Sequence, residues 1–360
     1  MERFNNILMF CPTLWGNNIV RTYPFVRALG GRRIIVAGWL KKGKSIYEPY
    51  KGRMNFLPLR TGARLPYDLL KLMRAARKAD VIHCFKPIWS SMLPAWALSK
   101  LFRKPLVLDI EDLDWKPGGM PSLNSLSHFI AKKVRVKTVH STALQRLWGG
   151  KIIRTGADES FFETDRKGAE DVRKSLGLKG KFVIIFAGAI RPHKGFEILA
   201  EAVKKLPNNV VLLSVGAADE TSVRALDAVR RDISDRLVTV SPQPFEKMPS
   251  FLAASDMVVL PQLQEESAEH QIPAKLYDAM AASKSIAVSD VGDMPEILGN
   301  TGIVFRAGDS DACTGAIRKV MDNPAGAEVM GKAARARCKR LYSADNIRQE
   351  LLSAYSEASR

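Results

Sequence analysis

The sequence predicts an α/β protein built from two doubly wound domains with parallel sheets, and three observations predict it. The chain has 360 residues, enough to fill two hydrophobic cores. Short β-branched runs alternate with amphipathic segments of ten or more residues, and connections of that length join parallel strands by right-handed crossovers. The alternation also runs twice, interrupted by the polar stretch 156–180.

In the first half, residues 6–10, 33–37, 81–84, 105–109 and 136–140 read as strands. Segments 65–78 and 90–101 carry apolar residues three and four apart and read as helices. In the second half the strands are 182–187, 210–215, 237–240, 257–260 and 285–288, and the helices are 196–205, 221–231, 274–282 and 311–320. The expected division is 1–165 and 166–343, with a C-terminal helix at about 344–360 packing back on the first domain. Ligands of open α/β sheets bind beyond the carboxyl ends of the strands, so two facing domains would hold the active site in the cleft between them.

Hydrophobic residues make up 46% of the chain and charged ones 26%, the balance of a soluble globular protein. Apolar runs such as 183–190 fall far short of the roughly 20 residues that cross a bilayer. The first residues, MERFNNILMF, run into a strand without the layout of a secretory signal. The expectation is a cytoplasmic protein. Cysteines at 11, 84, 313 and 338 form no CxxC pair, so reduced, buried thiols are expected and no metal site.

The net charge of +18 is unevenly spread. Residues 1–178 hold 32 Lys and Arg against 14 Asp and Glu, whereas residues 179–360 hold 23 of each. The basic half predicts an anionic partner, and a solvated basic surface is the plain alternative. Clusters at Arg32, Arg33, Lys41, Lys42, Lys44, Lys51 and Arg53, and the stretch Leu72, Met73, Arg74, Arg77 and Lys78, suit peripheral attachment to an anionic membrane, the inner face being expected. No RNP-type aromatic motif or helix-turn-helix accompanies this charge, so nucleic acid is not expected.

Two segments carry most of the chemistry. Residues 186–195 read FAGAIRPHKG, a strand entering a glycine loop that ends at a helix N-terminus. Gly188 permits the turn, free amides and the helix dipole around Gly195 attract phosphate, and Arg191 and Lys194 add a planar fork and a point charge. Residues 270–281 read HQIPAKLYDAMA, with Pro273 at a helix start and Lys275 and Asp278 on one face. A basic loop and a capped surface helix are the plain alternatives.

Together these segments resemble the retaining GT-B glycosyltransferases of family 4 (glycosyltransferase group 1). The likeness continues in IIRTGADESFF at 152–162, in SDMVVLP at 255–261 and in SDVGDMPE at 289–296. It covers nearly all of 181–325 and the first half more weakly. The resemblance implies a GT-B fold, two Rossmann-like domains facing across a cleft, and sugar transfer from a nucleotide-diphosphate sugar, UDP- or GDP-linked. It implies retention of configuration and no metal or other cofactor.

It also implies roles. Arg191 and Lys194 neutralise the donor diphosphate, Asp278 holds the ribose hydroxyls, and His270 occupies the place of a glutamate that touches the donor sugar, with Glu269 beside it as a substitute. Ala189 stands where many members have an arginine, and Arg191 follows two residues later. Trp15-Gly16-Asn17-Asn18 follows the first strand, where Gly16 and Asn17 approach the donor through backbone amides or cap a helix near Ile19. In HCFKP at 83–87, Phe85 replaces a second histidine and His83 reads as a buried one. The acidic run Asp109, Glu111, Asp112 and Asp114 suggests acceptor orientation or proton acceptance by Asp109 or Glu111, surface acidity being the alternative. The acceptor implied is a glycan or lipid-linked precursor. A non-catalytic subunit, or an epimerase or hydrolase of the same fold, is the competing reading.

Overall fold

The computed structural model describes residues 4–113, 122–163 and 165–360; Asp114 of the acidic run lies outside them, as does the side chain of Asn17. The chain divides into two units, Met1–Thr155 with Ala344–Arg360, and Gly156–Ser343. The change of unit thus falls after Thr155 rather than after residue 165.

The first unit holds seven parallel strands: β1 (Asn6–Thr13), β2 (Arg33–Leu40), β3 (Phe56–Arg60), β4 (Val81–Phe85), β5 (Leu106–Ile110), β6 (Val136–Val139) and β7 (Lys151–Ile152). Their order is β3-β2-β1-β4-β5-β6-β7. The second unit holds β8 (Phe182–Ala187), β9 (Val210–Val215), β10 (Leu237–Val240), β11 (Met257–Leu260), β12 (Ser285–Ser289) and β13 (Ile303–Phe305), in the order β10-β9-β8-β11-β12-β13. Each order reverses once, beside β1 and beside β8, and such a switch opens a crevice at the carboxyl ends of the strands.

The period-two pleat sends alternate residues of β1 to opposite faces. Ile7, Met9 and Cys11 join one buried cluster, Leu8 and Phe10 the other. Helices Thr22–Ala28 and Ala344–Ala358 cover the first face. Helices Leu65–Lys78, Trp89–Phe102 and Leu123–Lys133 cover the second. The C-terminal helix buries Ile347, Leu351, Ala354 and Tyr355 in the core of the first unit, and the Tyr355 hydroxyl lies 2.9 Å from His83 Nδ1. In the second unit, Val183 and Ile185 of β8 belong to one cluster and Ile184 and Phe186 to the other.

Strands β3, β7 and β13 were not predicted from the sequence. All three lie at or beside sheet edges: β3 carries Pro58, which an edge tolerates, and the other two span two and three residues. Among the described residues, no helix is long and apolar enough to cross a membrane.

Candidate functional site

In the second unit, the carboxyl end of β8 runs into the loop that the sequence singles out. Gly188 follows the strand at φ +94°, and its amide donates to Val215 O at 2.7 Å. Pro192–Lys194 form one tight turn, and Gly195 closes it at φ +62° before helix Phe196–Lys204 begins. A Cβ on residue 195 would stand 1.9 Å from the Pro261 carbonyl oxygen, so the close approach and the left-handed backbone both require glycine. Leu263 N donates to His193 O at 2.8 Å, which ties this turn to the segment after β11.

Three cations gather around the loop. Lys194 Nζ donates to Ala189 O at 2.8 Å, and Lys275 Nζ donates to Ala187 O while lying 4.6 Å from the centre of the Phe186 ring. Burial pulls the Lys275 ammonium down to about 7, with the Lys194 charge adding to the effect. Burial likewise lowers Lys194, followed by the charge of Arg191. Arg191 is turned toward Asp219: its Nη1 lies 2.9 Å from Asp219 Oδ1 and 2.7 Å from its neighbour's carbonyl, Ile190 O. The Arg191 hydrogen bond holds the Asp219 carboxyl down at about 2. The pair is solvent-exposed, so it costs little to break when an anion competes.

Asp278 lies one turn beyond Lys275 on helix Ala274–Ala281. Burial raises its carboxyl to about 8, the charge of Asp158 adds to the rise, and Lys275 opposes it. The two residues stand three apart on this helix. Glu269 and His270 end the short helix Glu266–His270. Glu269 accepts from Gln264 Nε2 at 2.5 Å, and His270 Nδ1 lies 2.7 Å from Glu266 O. A Cβ at Gly292 would meet Glu269 O at 3.1 Å, so the loop after β12 passes directly against this helix end.

In the first unit, Gly16 opens the turn Gly16–Ile19 at φ +71°, just after β1. Helix Thr22–Ala28 then starts from Arg21, which makes no side-chain cap. Asp109 sits wholly buried on β5. It pairs with Arg21 at 2.6 and 2.9 Å and accepts from Thr138 Oγ1 at 2.5 Å. A carboxylate so enclosed, with both oxygens engaged, does not fit the expected part of acceptor base, nor is it surface acidity. Glu111, two residues on, lies 3.3 Å from Lys86 Nζ, and burial raises its carboxyl to about 8. Lys86 also meets Asp112 at 2.6 Å. His83 is fully buried and stacked on Phe85 with ring centres 4.7 Å apart, and burial lowers it to about 4.

Residues 181–323 match the family described as glycosyl transferases group 1. That stretch is similar to a group 1 glycosyltransferase domain. Across a longer stretch, the chain is 25% identical over 327 residues to alpha-maltose-1-phosphate synthase of Mycobacterium tuberculosis, covering 79% of this chain and 81% of that one. It is 28% identical over 219 residues to D-inositol 3-phosphate glycosyltransferase of Mycolicibacterium paratuberculosis, 58% of this chain and 47% of that one. The chain thus spans about half the length of that relative. The structure of Anabaena Alr3699/HepE, solved with UDP and glucose, superposes with a TM-score of 0.81 at 18% identity, covering 98% of this chain and 99% of the other. That likeness establishes the two-domain GT-B fold.

Within residues 181–323, Gly188, Arg191, Lys194, Gly195 and Lys275 are brought together, and Asp278 follows Lys275 one helical turn later. Glu269 and His270 stand on a separate short helix, linked to the loop through the His193–Leu263 bond. Sequence reasoning missed Asp219 and Ser222. Ser222 Oγ accepts from Ile190 N at 2.9 Å and fixes the loop's far side. The only trace of them in the sequence is a helix-capping pattern, which announces a helix start and nothing of the loop it supports.

Proposed function

We propose that this chain transfers a sugar from a nucleoside-diphosphate sugar to an acceptor hydroxyl, with retention of configuration and without a metal on the leaving diphosphate. The observation that carries the reading is the gathering of Arg191, Lys194 and Lys275 around the Gly188 loop at a helix N-terminus. Two of these ammoniums rest on main-chain carbonyls and lower one another's proton affinity, so a diphosphate arriving there relieves an existing repulsion. Cations fixed in advance stabilise negative charge as it develops on the departing phosphate. Asp278 is the candidate for the ribose hydroxyls, and Glu269 with His270 for the donor sugar.

The UDP held by the structural neighbour supports a nucleoside diphosphate as the ligand class. Similarity to group 1 and the family resemblance support retention. For the acceptor we infer a lipid-linked or cell-surface glycan precursor at an anionic membrane, supported by the basic first half of the chain. Glu111 is our candidate for acceptor base, since burial raises its carboxyl to about 8, while Asp109 is closed off by Arg21 and Thr138.

A melting series against UDP, GDP, ADP and CMP tests the reading. One nucleoside diphosphate should raise the melting temperature of the wild type and fail to do so for Lys194→Ala and Asp278→Ala. Turnover of Lys194→Ala should fall more than tenfold; unchanged turnover sinks the assignment.

A further inference from the structure

The three helices over the second face of the first unit carry an outer surface that the core does not use. Leu65–Lys78, Trp89–Phe102 and Leu123–Lys133 are successive crossovers from β3 to β4, β5 and β6. Because the crossovers advance in one direction and share one hand, they lie side by side on one face of the sheet. Their inner sides bury Leu72, Ala76, Met92, Ala95, Leu98 and Ile130 in a single cluster. Their outer sides leave Leu70, Met73, Trp96, Leu101, Leu126 and Phe129 exposed, Leu101 by 63% and Phe129 by 56%. The whole second unit, by contrast, exposes only Val223, Val304, Val329 and Leu341 among its described large apolar residues, and none is aromatic.

Charge completes the pattern. The three helices hold seven Lys and Arg against one acid, Asp68, and that acid is buried and bonded to Arg60. Lys71 Nζ lies 4.3 Å from the Tyr67 ring centre and Lys133 Nζ 4.1 Å from that of Phe129, the stems of both lying along apolar surface. Beside helix Leu65–Lys78 a cavity of about 560 Å³ opens at the amino ends of β1 and β2, the ends opposite those where α/β sheets bind substrate. Arg32, Arg33, Lys71, Arg74 and Lys78 line it above an apolar floor that includes Ile34 and Leu57, and its lining contains no carboxylate. The Nε of Arg32, one of the lining residues, is buried with no hydrogen-bond partner among the described residues.

We infer that this helical face lies on an anionic phospholipid bilayer, with its aromatic and aliphatic side chains in the interface and a lipid phosphate received by the cation-lined cavity. Apolar side chains interleaved with Lys and Arg, without exposed acids, match the interfacial zone of a charged membrane. A second copy of this chain fits less well, since pairing the face with itself would oppose like charges. The inference rests on the membrane acceptor proposed above only for its use. Vesicle binding reads the surface with no sugar transfer, so the two fail separately.

Cosedimentation of the full chain with phosphatidylcholine vesicles, with and without phosphatidylglycerol, is the experiment. Binding should require phosphatidylglycerol, weaken with salt, and survive Lys194→Ala unchanged. Replacing Lys71, Arg74 and Lys78 by Gln should weaken it on the order of a hundredfold, at about a factor of five for each cation removed. Leu70→Ser with Phe129→Ser should weaken it at unchanged charge, while melting of both variants shows that they are folded. Equal binding to both vesicle types overturns the proposal, as does full binding by either folded variant. Displacement from vesicles by inorganic phosphate at equal concentration would assign the cavity to a free anion and overturn the lipid.

Discussion

Lys275 is a residue whose chemistry is set almost entirely by its surroundings. Its ammonium is packed against the Phe186 ring and shares the loop with Lys194, and its proton affinity drops to about 7. A bound diphosphate restores the charge, so binding and protonation favour one another. Affinity for a nucleoside diphosphate should therefore be highest below pH 7 and fall as pH rises from about 7 toward 9. The ligand itself gains a proton near pH 6, so the informative range lies above that value. Calorimetric titration across this range, with Lys275→Met beside the wild type, reads the effect: the variant should bind more weakly and lose the slope. A wild-type affinity that is flat over the range removes Lys275 from the diphosphate site. The glycine loop and its cations were legible because each residue type there answers a local demand. The Arg191–Asp219 pair was not, since 28 residues of sequence separate two groups that only the folded loop brings to 2.9 Å.

At the scale of elements, legibility followed burial. Strands β8, β9, β10 and β11 run over the residues their apolar pattern predicted, three of them buried along nearly their whole length. Strands β7 and β13, of two and three residues, are too short to show a period, and Pro58 interrupts the run that forms β3. The acidic run that begins within β5 was misread at Asp109 because a strand end looks exposed in sequence, while Arg21, far along the chain, closes over it. The C-terminal helix shows how a distant element completes a core. Tyr355 brings its hydroxyl to His83 in the middle of the first sheet, and the other histidine nitrogen, Nε2, has no partner among the described residues. Tyr355→Phe keeps the ring and strands the second nitrogen as well. The variant should lose about 1–3 kcal/mol, the cost of a buried polar group left unpaired. Urea unfolding monitored on the first unit measures it; a loss under a few tenths of a kcal/mol would show that the hydrogen bond carries no weight.

At the scale of the whole molecule, the two units have separate cores on both faces of separate sheets, and buried titratable groups tie each of them to pH. In the first unit burial lowers His83 to about 4 and His140 well below its ordinary value. The folded state keeps both imidazoles neutral, while the unfolded chain takes up protons near pH 6.5, so their contribution to stability is full above that value and is lost as pH falls toward 4; Glu111, whose carboxyl burial raises to about 8, opposes them with one group against two. His83 alone accounts for a shift of about 3 kcal/mol over that interval. In the second unit Asp278 has the opposite sign. Its raised folded value means the native state holds a proton that the unfolded chain releases above about 4, so acidification from pH 8 stabilises that unit. On the proposed site, a nucleoside diphosphate should add stability to the unit that holds the cationic loop. Scanning calorimetry should then show two transitions rather than one. Lowering the pH from 7 to 5 should move the first unit's transition down relative to the second's, and the nucleotide should move only the second's up. His83→Gln should reduce the acid response without abolishing it, since His140 contributes with the same sign. A single transition that responds to acid and to nucleotide as one would mean that unfolding of either unit carries the other with it, and the separate cores would then not be separate in energy.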